Sequence, residues 1–366
     1  MDLSILQQGE ATKMQYAFCF IVVNIIFFIC FMQQNSKKPA FYSWILMLFF
    51  CIYAYWDTDY FTFKQSFYIS LKDFRDPLYY YLSFISFNSY SIFRLLIWGM
   101  ALFLVVRTIK RLFLPQNLAA FIFSVFFLLT FSYARVSLGM AMYFYGASLL
   151  FNPSLKYKHR DKFLGLLFVL GSILGHRSMA LIILMTPFCY IKMSKLKVVL
   201  FIAATIIAAL SFKVVILSIA AGSFGGNLGA VGEAAAKYSS MGSEISYNWK
   251  FTLIRNLRYY SIYILAFFTV WKIYFAKTRL QIDNWVKNFM TLCMYIFAVA
   301  YCFMSTGMFG ADIIGYRYLY MMGIPLCIIL CYLVHKGFCS KKAMYLMFIP
   351  AILYAEGFIF GKILSF

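Results

Sequence analysis

Charge is what this chain has least of. Asp, Glu, Lys and Arg make up only 12% of its 366 residues, and the acids are the scarcer part, 12 against 33 Lys and Arg. Ordinary soluble domains carry about a quarter charged residues. A water-soluble enzyme or binding module is therefore excluded, and the 64% of hydrophobic residues and mean hydropathy of +0.80 point to a bilayer. No polar domain or linker divides the chain and no repeat is obvious, so one membrane domain over residues 1–366 is expected. Histidine is nearly absent, at three residues, and the nine cysteines form no CxxC pair and have no His partner at metal spacing. Neither a zinc site nor a disulfide framework is expected, and the cysteines read as small apolar packing residues. The first apolar run lacks a small-residue cleavage site, so it reads as a first span rather than a signal peptide.

What is present is length in the apolar runs. A hydrocarbon core about 30 Å thick takes about 20 helical residues to cross. Candidate spans lie near 14–32, 40–56, 78–106, 116–133, 136–151, 163–175, 179–191, 198–220, 255–271, 287–304, 318–334 and 343–360. The expected fold is an all-α polytopic membrane protein of about twelve helices. The run 78–106 is too long for one upright helix, and those at 163 and 179 are short, so tilted, broken or re-entrant pieces are expected there.

The net charge of +21 suggests nucleic acid at first sight, but the basic residues sit in short turns between apolar runs, with no basic domain to hold a duplex. Positive-inside sorting explains them. Alternate turns carry Lys37 and Lys38; Arg107, Lys110 and Arg111; Lys156, Lys158, Arg160 and Lys162; Lys192, Lys195 and Lys197; Lys272, Lys277, Arg279 and Lys287; and Lys336, Lys341 and Lys342, with Asp161 and Asp283 as the acids among them. The other turns are mixed in sign and hold Asp57, Asp59, Asp73, Asp76, Glu233, Glu244 and Asp312. That places both termini outside the cytoplasmic membrane. Two outward segments, 57–77 and 221–254, exceed what a connection needs, and the second, rich in glycine from Gly222 to Gly232, reads as a substrate lid.

An ion inside a bilayer costs roughly 2.5 to 3.5 kcal/mol by insertion scales, so the few charges at the membrane edge are the functional candidates. Asp57-Thr58-Asp59-Tyr60 follows one apolar run and Arg75-Asp76-Pro77-Leu78-Tyr79 precedes the next. Asp59 and Asp76 are the candidate carboxylates for a general base or a sugar-hydroxyl acceptor, and the tyrosines offer stacking faces to sugar rings. Arg135 opens a span with Gly139, Met142 and Gly146 on its helical face, where small residues allow close packing and turn the guanidinium into the bundle. His176-Arg177-Ser178 interrupts an apolar stretch at an outer turn, whereas His159 and His335 sit in basic turns and receive no role. Arg255 and Arg258 are one helical turn apart, a spacing that fits neighbouring phosphates of a diphosphate. Arg317 begins another span at its outer end, and Arg94, thirteen residues before Arg107, lies about 20 Å along a helix from it, in the outer half of the bilayer. Six arginines thus fall toward one face, which suits an anionic lipid-linked substrate approached from outside.

Taken in order, Asp57-Thr58-Asp59-Tyr60, Asp76-Pro77-Leu78-Tyr79, the segment from Ala134 through Arg135 to Ala141, Gly175-His176-Arg177-Ser178-Met179-Ala180, and Gly315-Tyr316-Arg317-Tyr318-Leu319-Tyr320 resemble the EpsG family of membrane polysaccharide-assembly proteins, which includes Wzy-type O-antigen and capsule polymerases. Asp57 stands where such proteins commonly carry Gly, Asp76 where they carry Glu, and Val136 where they carry Gln. The resemblance implies a GT-C-like bundle with outward loops and a glycosyltransferase of the bacterial inner membrane. Its substrate would be an undecaprenyl-diphosphate-linked glycan rather than a nucleotide sugar, with no cofactor and no metal. Arg135, Arg255, Arg258 and Arg317 would then hold the diphosphate, Asp59 or His176 the acceptor hydroxyl, Arg177 would orient it, and Asp76 and Arg94 would add substrate contacts. A chain-length regulator protein is an expected class of partner. Two readings stay open beside it: a lipid-linked oligosaccharide flippase or transporter, which would need a polar path to both faces, and a glycan ligase or O-acyltransferase.

Overall fold

The computed structural model describes residues 13–36, 40–53, 64–65, 67–68, 76–133, 136–220, 249–276, 281–306 and 309–364. Every element named among them is a helix. In chain order they are α1 (Lys13–Gln33), α2 (Phe41–Ile52), α3 (Pro77–Ile85), α4 (Tyr90–Arg111), α5 (Gln116–Phe126), α6 (Leu128–Tyr133), α7 (Ser137–Phe151), α8 (Lys158–Gly175) and α9 (Met179–Met185), the last running into a 3-10 turn, Thr186–Tyr190. Then follow α10 (Lys195–Ala220), α11 (Trp249–Val270) with a π turn Trp271–Phe275, α12 (Asn284–Met304), α13 (Phe309–Met321), α14 (Gly323–His335) and α15 (Lys341–Leu364).

Five helical stretches among the described residues are long and apolar enough to cross a membrane: Met14–Gln33, Tyr90–Arg111, Lys195–Val215, Asn284–Met304 and Ile314–His335. This is a helical membrane protein, but these five do not carry the expected count of about twelve. The difference arises where apolar runs break into shorter helices. Residues 78–106 split at a turn in which Phe87 (φ 50°) and Asn88 (φ 57°) adopt the left-handed conformation, after which Ser89 caps α4 by accepting from the Ile92 N–H at 3.4 Å. The run 116–133 breaks at Phe127 between α5 and α6. Pro187 stands at the start of the 3-10 turn that ends the short α9 run, because proline has no N–H to continue an α-helix.

The chain forms two compact units. The first comprises Met1–Leu184 and Ile324–Phe366, the second Met185–Gly323. In the first, α1 packs against α15, α2 and α5, and α7 lies between α8 and α4. One end of this unit is closed by polar contacts between turns: Asn117 donates to the Ser36 carbonyl at 2.7 Å, Tyr345 to Gln34 at 3.1 Å, and Lys341 to Asn35. Arg111 at the end of α4 meets Asp161 at the start of α8 at 2.7 Å and the Asn152 carbonyl at 3.0 Å. The 18 residues of α8 carry the chain about 27 Å from that end to the other, where His176 stands. In the second unit, α12 packs on α13 and α10, and α11 joins them.

Candidate functional site

The best-defined part of the site is built by α7 and α8, which are antiparallel and meet along three rungs. Gly139 faces Gly175, Met142 faces Gly171, and Gly146 faces Gly165. A methyl group on Gly146 would stand 2.7 Å from the Gly165 carbonyl oxygen and 2.8 Å from the Val169 nitrogen, and one on Gly175 would stand 2.9 Å from the Cα and N of Gly139. Backbones this close require residues without a side chain. The face Gly139-Met142-Gly146 read from sequence is thus the packing face, and it brings the start of α7 against His176, whose backbone nitrogen is 3.2 Å from a Cβ built on Gly139.

At the end of α8, His176 turns to extended backbone. The Ser178 N–H donates to its Nδ1 at 3.2 Å, and the Ser178 hydroxyl lies beside the same nitrogen. An N–H can only donate, so Nδ1 accepts and the neutral ring carries its proton on Nε2. The next residue supplies the link between two motifs far apart in sequence: the Arg177 N–H donates to Asp76 Oδ1 at 3.2 Å. Asp76 occupies the N-cap position of α3, followed by Pro77, yet its carboxylate makes no capping bond to its own helix. It fastens the His176-Arg177-Ser178 turn instead. The side chain of Arg177 is exposed.

Arg94 is placed differently from the exposed Arg177 and Arg317. It is 3% exposed, and its guanidinium lies over the Trp98 ring at 4.2 Å. Nε donates to the Cys51 carbonyl at 3.2 Å and to the Ile52 carbonyl at 2.9 Å, and Nη2 donates to Cys51 again and to the Ser132 carbonyl at 3.0 Å. Nη1 faces the Tyr90 hydroxyl at 3.5 Å. These carbonyls end α2 and α6, where the last turn of a helix leaves its acceptors without intrahelical donors.

Arg255, Arg258 and Arg317 belong to the second unit. Arg255 and Arg258 take positions one turn apart on α11, and Arg317 is exposed on α13. The two helices are tied by tyrosines that received no role from the sequence. Tyr259 stacks on Tyr316 at 4.0 Å with an interplanar angle of 11°, and its hydroxyl meets that of Tyr320 at 3.2 Å. Tyr259 follows Arg258 in sequence and Tyr316 precedes Arg317. Gly315 closes the same region, since a Cβ there would stand 2.8 Å from the Ala300 carbonyl oxygen. Tyr259→Leu is expected to remove about 1 kcal/mol of stacking and to lower the thermal midpoint of the purified protein, whereas Tyr259→Phe keeps most of it. Below the stack, α10, α11 and α12 line a half-open cavity of about 410 Å³ that includes Phe201, Thr205, Tyr263, Phe267, Met294 and Phe297 in its walls.

Of the residues singled out from sequence, Asp57, Asp59 and Arg135 lie outside the described residues. Asp76, His176 and Arg177 come together, with the start of α7 against them. Arg94 stands apart among carbonyls. Sequence reading missed Glu356, which accepts from the Asn24 amide at 3.4 Å between α15 and α1. An acid inside the apolar run 343–360 was the available signal. Asn24 lies ten residues from Gln34, and Glu356 eleven from Tyr345. Both are thus about 15 Å along their helices from the polar end of the unit.

No curated protein and no solved structure matches the chain. The EpsG family profile matches residues 45–364, an interval that contains every motif named above. The chain therefore belongs to the EpsG family, membrane proteins of polysaccharide biosynthesis.

Proposed function

We propose that this protein is a polysaccharide polymerase of the bacterial cytoplasmic membrane, a GT-C-like glycosyltransferase that joins undecaprenyl-diphosphate-linked repeat units at the outer face. The observation that carries the reading is the bond from the Arg177 N–H to Asp76, which joins two family motifs 101 residues apart at the end of the glycine-packed pair. In this orientation the Arg111–Asp161 end is cytoplasmic, both termini are outside, and the remaining shorter helices supply further passes.

The reaction would transfer the growing glycan from its lipid diphosphate to the non-reducing-end hydroxyl of an incoming lipid-linked repeat unit. The hydroxyl oxygen bonds to the anomeric carbon, the carbon–oxygen bond to diphosphate breaks, and the hydroxyl proton goes to a base. Asp59 is assigned the base. The proton on Nε2 of neutral His176 makes that ring a donor, suited to an acceptor or diphosphate oxygen rather than to proton abstraction. Arg135, Arg255, Arg258 and Arg317 stabilise the departing diphosphate, in the manner of cations preorganised where charge develops. Asp76 holds the turn from which Arg177 orients the glycan. Helix α11 carries Arg255 and Arg258 and also lines the apolar cavity, which offers the prenyl chain a place below the charged head.

The test is the surface-glycan ladder of the source bacterium with the gene deleted and then complemented. Deletion should leave lipid carrying a single repeat unit at the outer leaflet. Wild type should restore the ladder, and Arg135→Ala or Asp59→Asn, at equal membrane abundance, should lower it at least about a hundredfold, the scale of losing one charge-stabilising group. Single repeats accumulating on the inner leaflet would instead establish a flippase and overturn the assignment.

A further inference from the structure

We infer that Arg94 is a positioning residue that fastens, at one point, the two chain exits leading to the catalytic candidates, and is not a ligand of the substrate phosphates. The catalytic meaning of those exits rests on the proposed function; the fastening itself does not.

The argument starts from the cost of the site. A buried arginine in a bilayer is tolerated only where it is paired or hydrogen-bonded. Around Arg94 stand the carbonyls of Cys51, Ile52 and Ser132. These lie in the last turns of α2 and α6, at the negative ends of two helix dipoles. One guanidinium thus neutralises two helix termini that would otherwise leave polar acceptors without donors in an apolar medium. Its planar fork is what allows it to reach both at once.

Sequence distance gives the fastening its consequence. Ile52 precedes Asp57-Thr58-Asp59 by five residues, and Ser132 precedes Arg135 by three. The α6 exit is secured further by two neighbours. Trp98, one turn after Arg94 on α4, donates from Nε1 to the Phe131 carbonyl at 2.9 Å, and the Ser137 hydroxyl at the start of α7 donates to the same oxygen at 2.8 Å. The two helix ends that flank residues 134 and 135 in sequence are thus held, one by Arg94 and Trp98 and the other by Ser137. On the α2 side, Phe67 of the outward loop is buried against Phe93, the residue beside Arg94, with ring centroids 5.1 Å apart. Nε and Nη2 are committed to the three backbone carbonyls, so a phosphate that took those N–H groups would uncap the helix ends they hold.

The test uses the full-length protein in nanodiscs, as wild type, Arg94→Gln and Arg94→Lys. Amide hydrogen exchange at residues 49–53 and 128–133 should accelerate together by about tenfold or more in both variants, with exchange along the α7–α8 pair unchanged. Binding of undecaprenyl diphosphate, the probe, should stay within about twofold of wild type for Arg94→Lys, while its glycan ladder falls by about tenfold or more, a loss of turnover rather than of binding. Lysine keeps the charge but not the fork, so a phosphate ligand would be partly rescued and a two-helix fastener would not. Unchanged exchange at either exit overturns the inference. So does a loss of undecaprenyl-diphosphate binding as deep as that of Arg135→Ala with exchange unaltered. If wild type itself fails to bind the probe, the functional reading fails, and the exchange measurement still decides the role of Arg94.

Discussion

Gly175→Leu is expected to abolish the glycan ladder and to lower the thermal stability of the purified protein by more than any surface substitution. Even a single methyl at this position would stand 2.9 Å from two backbone atoms of Gly139. Backbone cannot rotate away as a side chain can, so α7 and α8 must separate. Overpacking of this kind typically costs about 1 to 3 kcal/mol, and leucine should reach or exceed the top of that range. The functional loss should exceed the loss of stability, because separation also moves His176 away from the start of α7 and breaks the register that lets Arg177 meet Asp76. Gly165→Leu, at the far rung, places its clash against the Gly146 carbonyl oxygen, where a Cβ already stands 2.9 Å away. It should destabilise similarly with a smaller effect on turnover per folded molecule. Melting curves and ladder intensity per unit of folded protein separate the two. Equal ladder loss at both rungs after that normalisation would show that nearness to His176 does not matter.

Arg111→Met should cost about 1 to 3 kcal/mol, because it takes the hydrogen-bonded cation from the Asp161 carboxylate, 4% exposed, and leaves it the Ser154 N–H and the charge of Arg160. Burial by itself would raise the Asp161 carboxyl, but the Ser154 N–H at 2.9 Å and the Arg111 guanidinium outweigh it and hold the group below the usual carboxylate range. A carboxyl lowered in the fold adds stability that is fully present above its unfolded value of about 3.9 and is lost as the pH falls through the folded value. Wild type should therefore lose thermal stability on acidification below about pH 4. The double substitution Arg111→Met with Asp161→Asn removes both charges, so it should recover most of the loss caused by Arg111→Met and show a weaker acid dependence. A double variant no more stable than the single would mean that the pair contributes through packing alone.

Some of this protein could be derived from its residue types. Long apolar runs in a chain with few charges have one environment that satisfies them, and a basic excess in alternate turns follows from the cost of translocating positive charge. The membrane class, the helical fold and the family are therefore legible in composition and motif order. So was the packing face of α7, since glycines at Gly139 and Gly146 share one side of a helix whatever surrounds it. The helix breaks were legible only as excess length. The turn at Phe87 and Asn88 depends on backbone conformations that their side chains permit without demanding.

Charge at the membrane edge made Arg94 and Arg317 look alike, because sequence records that a cation is present and how deep it lies along its helix. Which acceptors reach it depends on where α2 and α6 happen to end, and those ends are brought to Arg94 by packing between helices 38 to 43 residues away in the chain. The partner of Asp76 is set in the same way. Its carboxylate could have capped α3, and it serves the Arg177 N–H because α8 delivers that turn beside it. Local chemistry thus determined the solvent this chain lives in and the residues able to bear charge there. Only the tertiary structure decided which of those charges are bound by the protein's own backbone, since a hydrogen bond over that distance is set by the crossing of helices and not by the sequence near either partner.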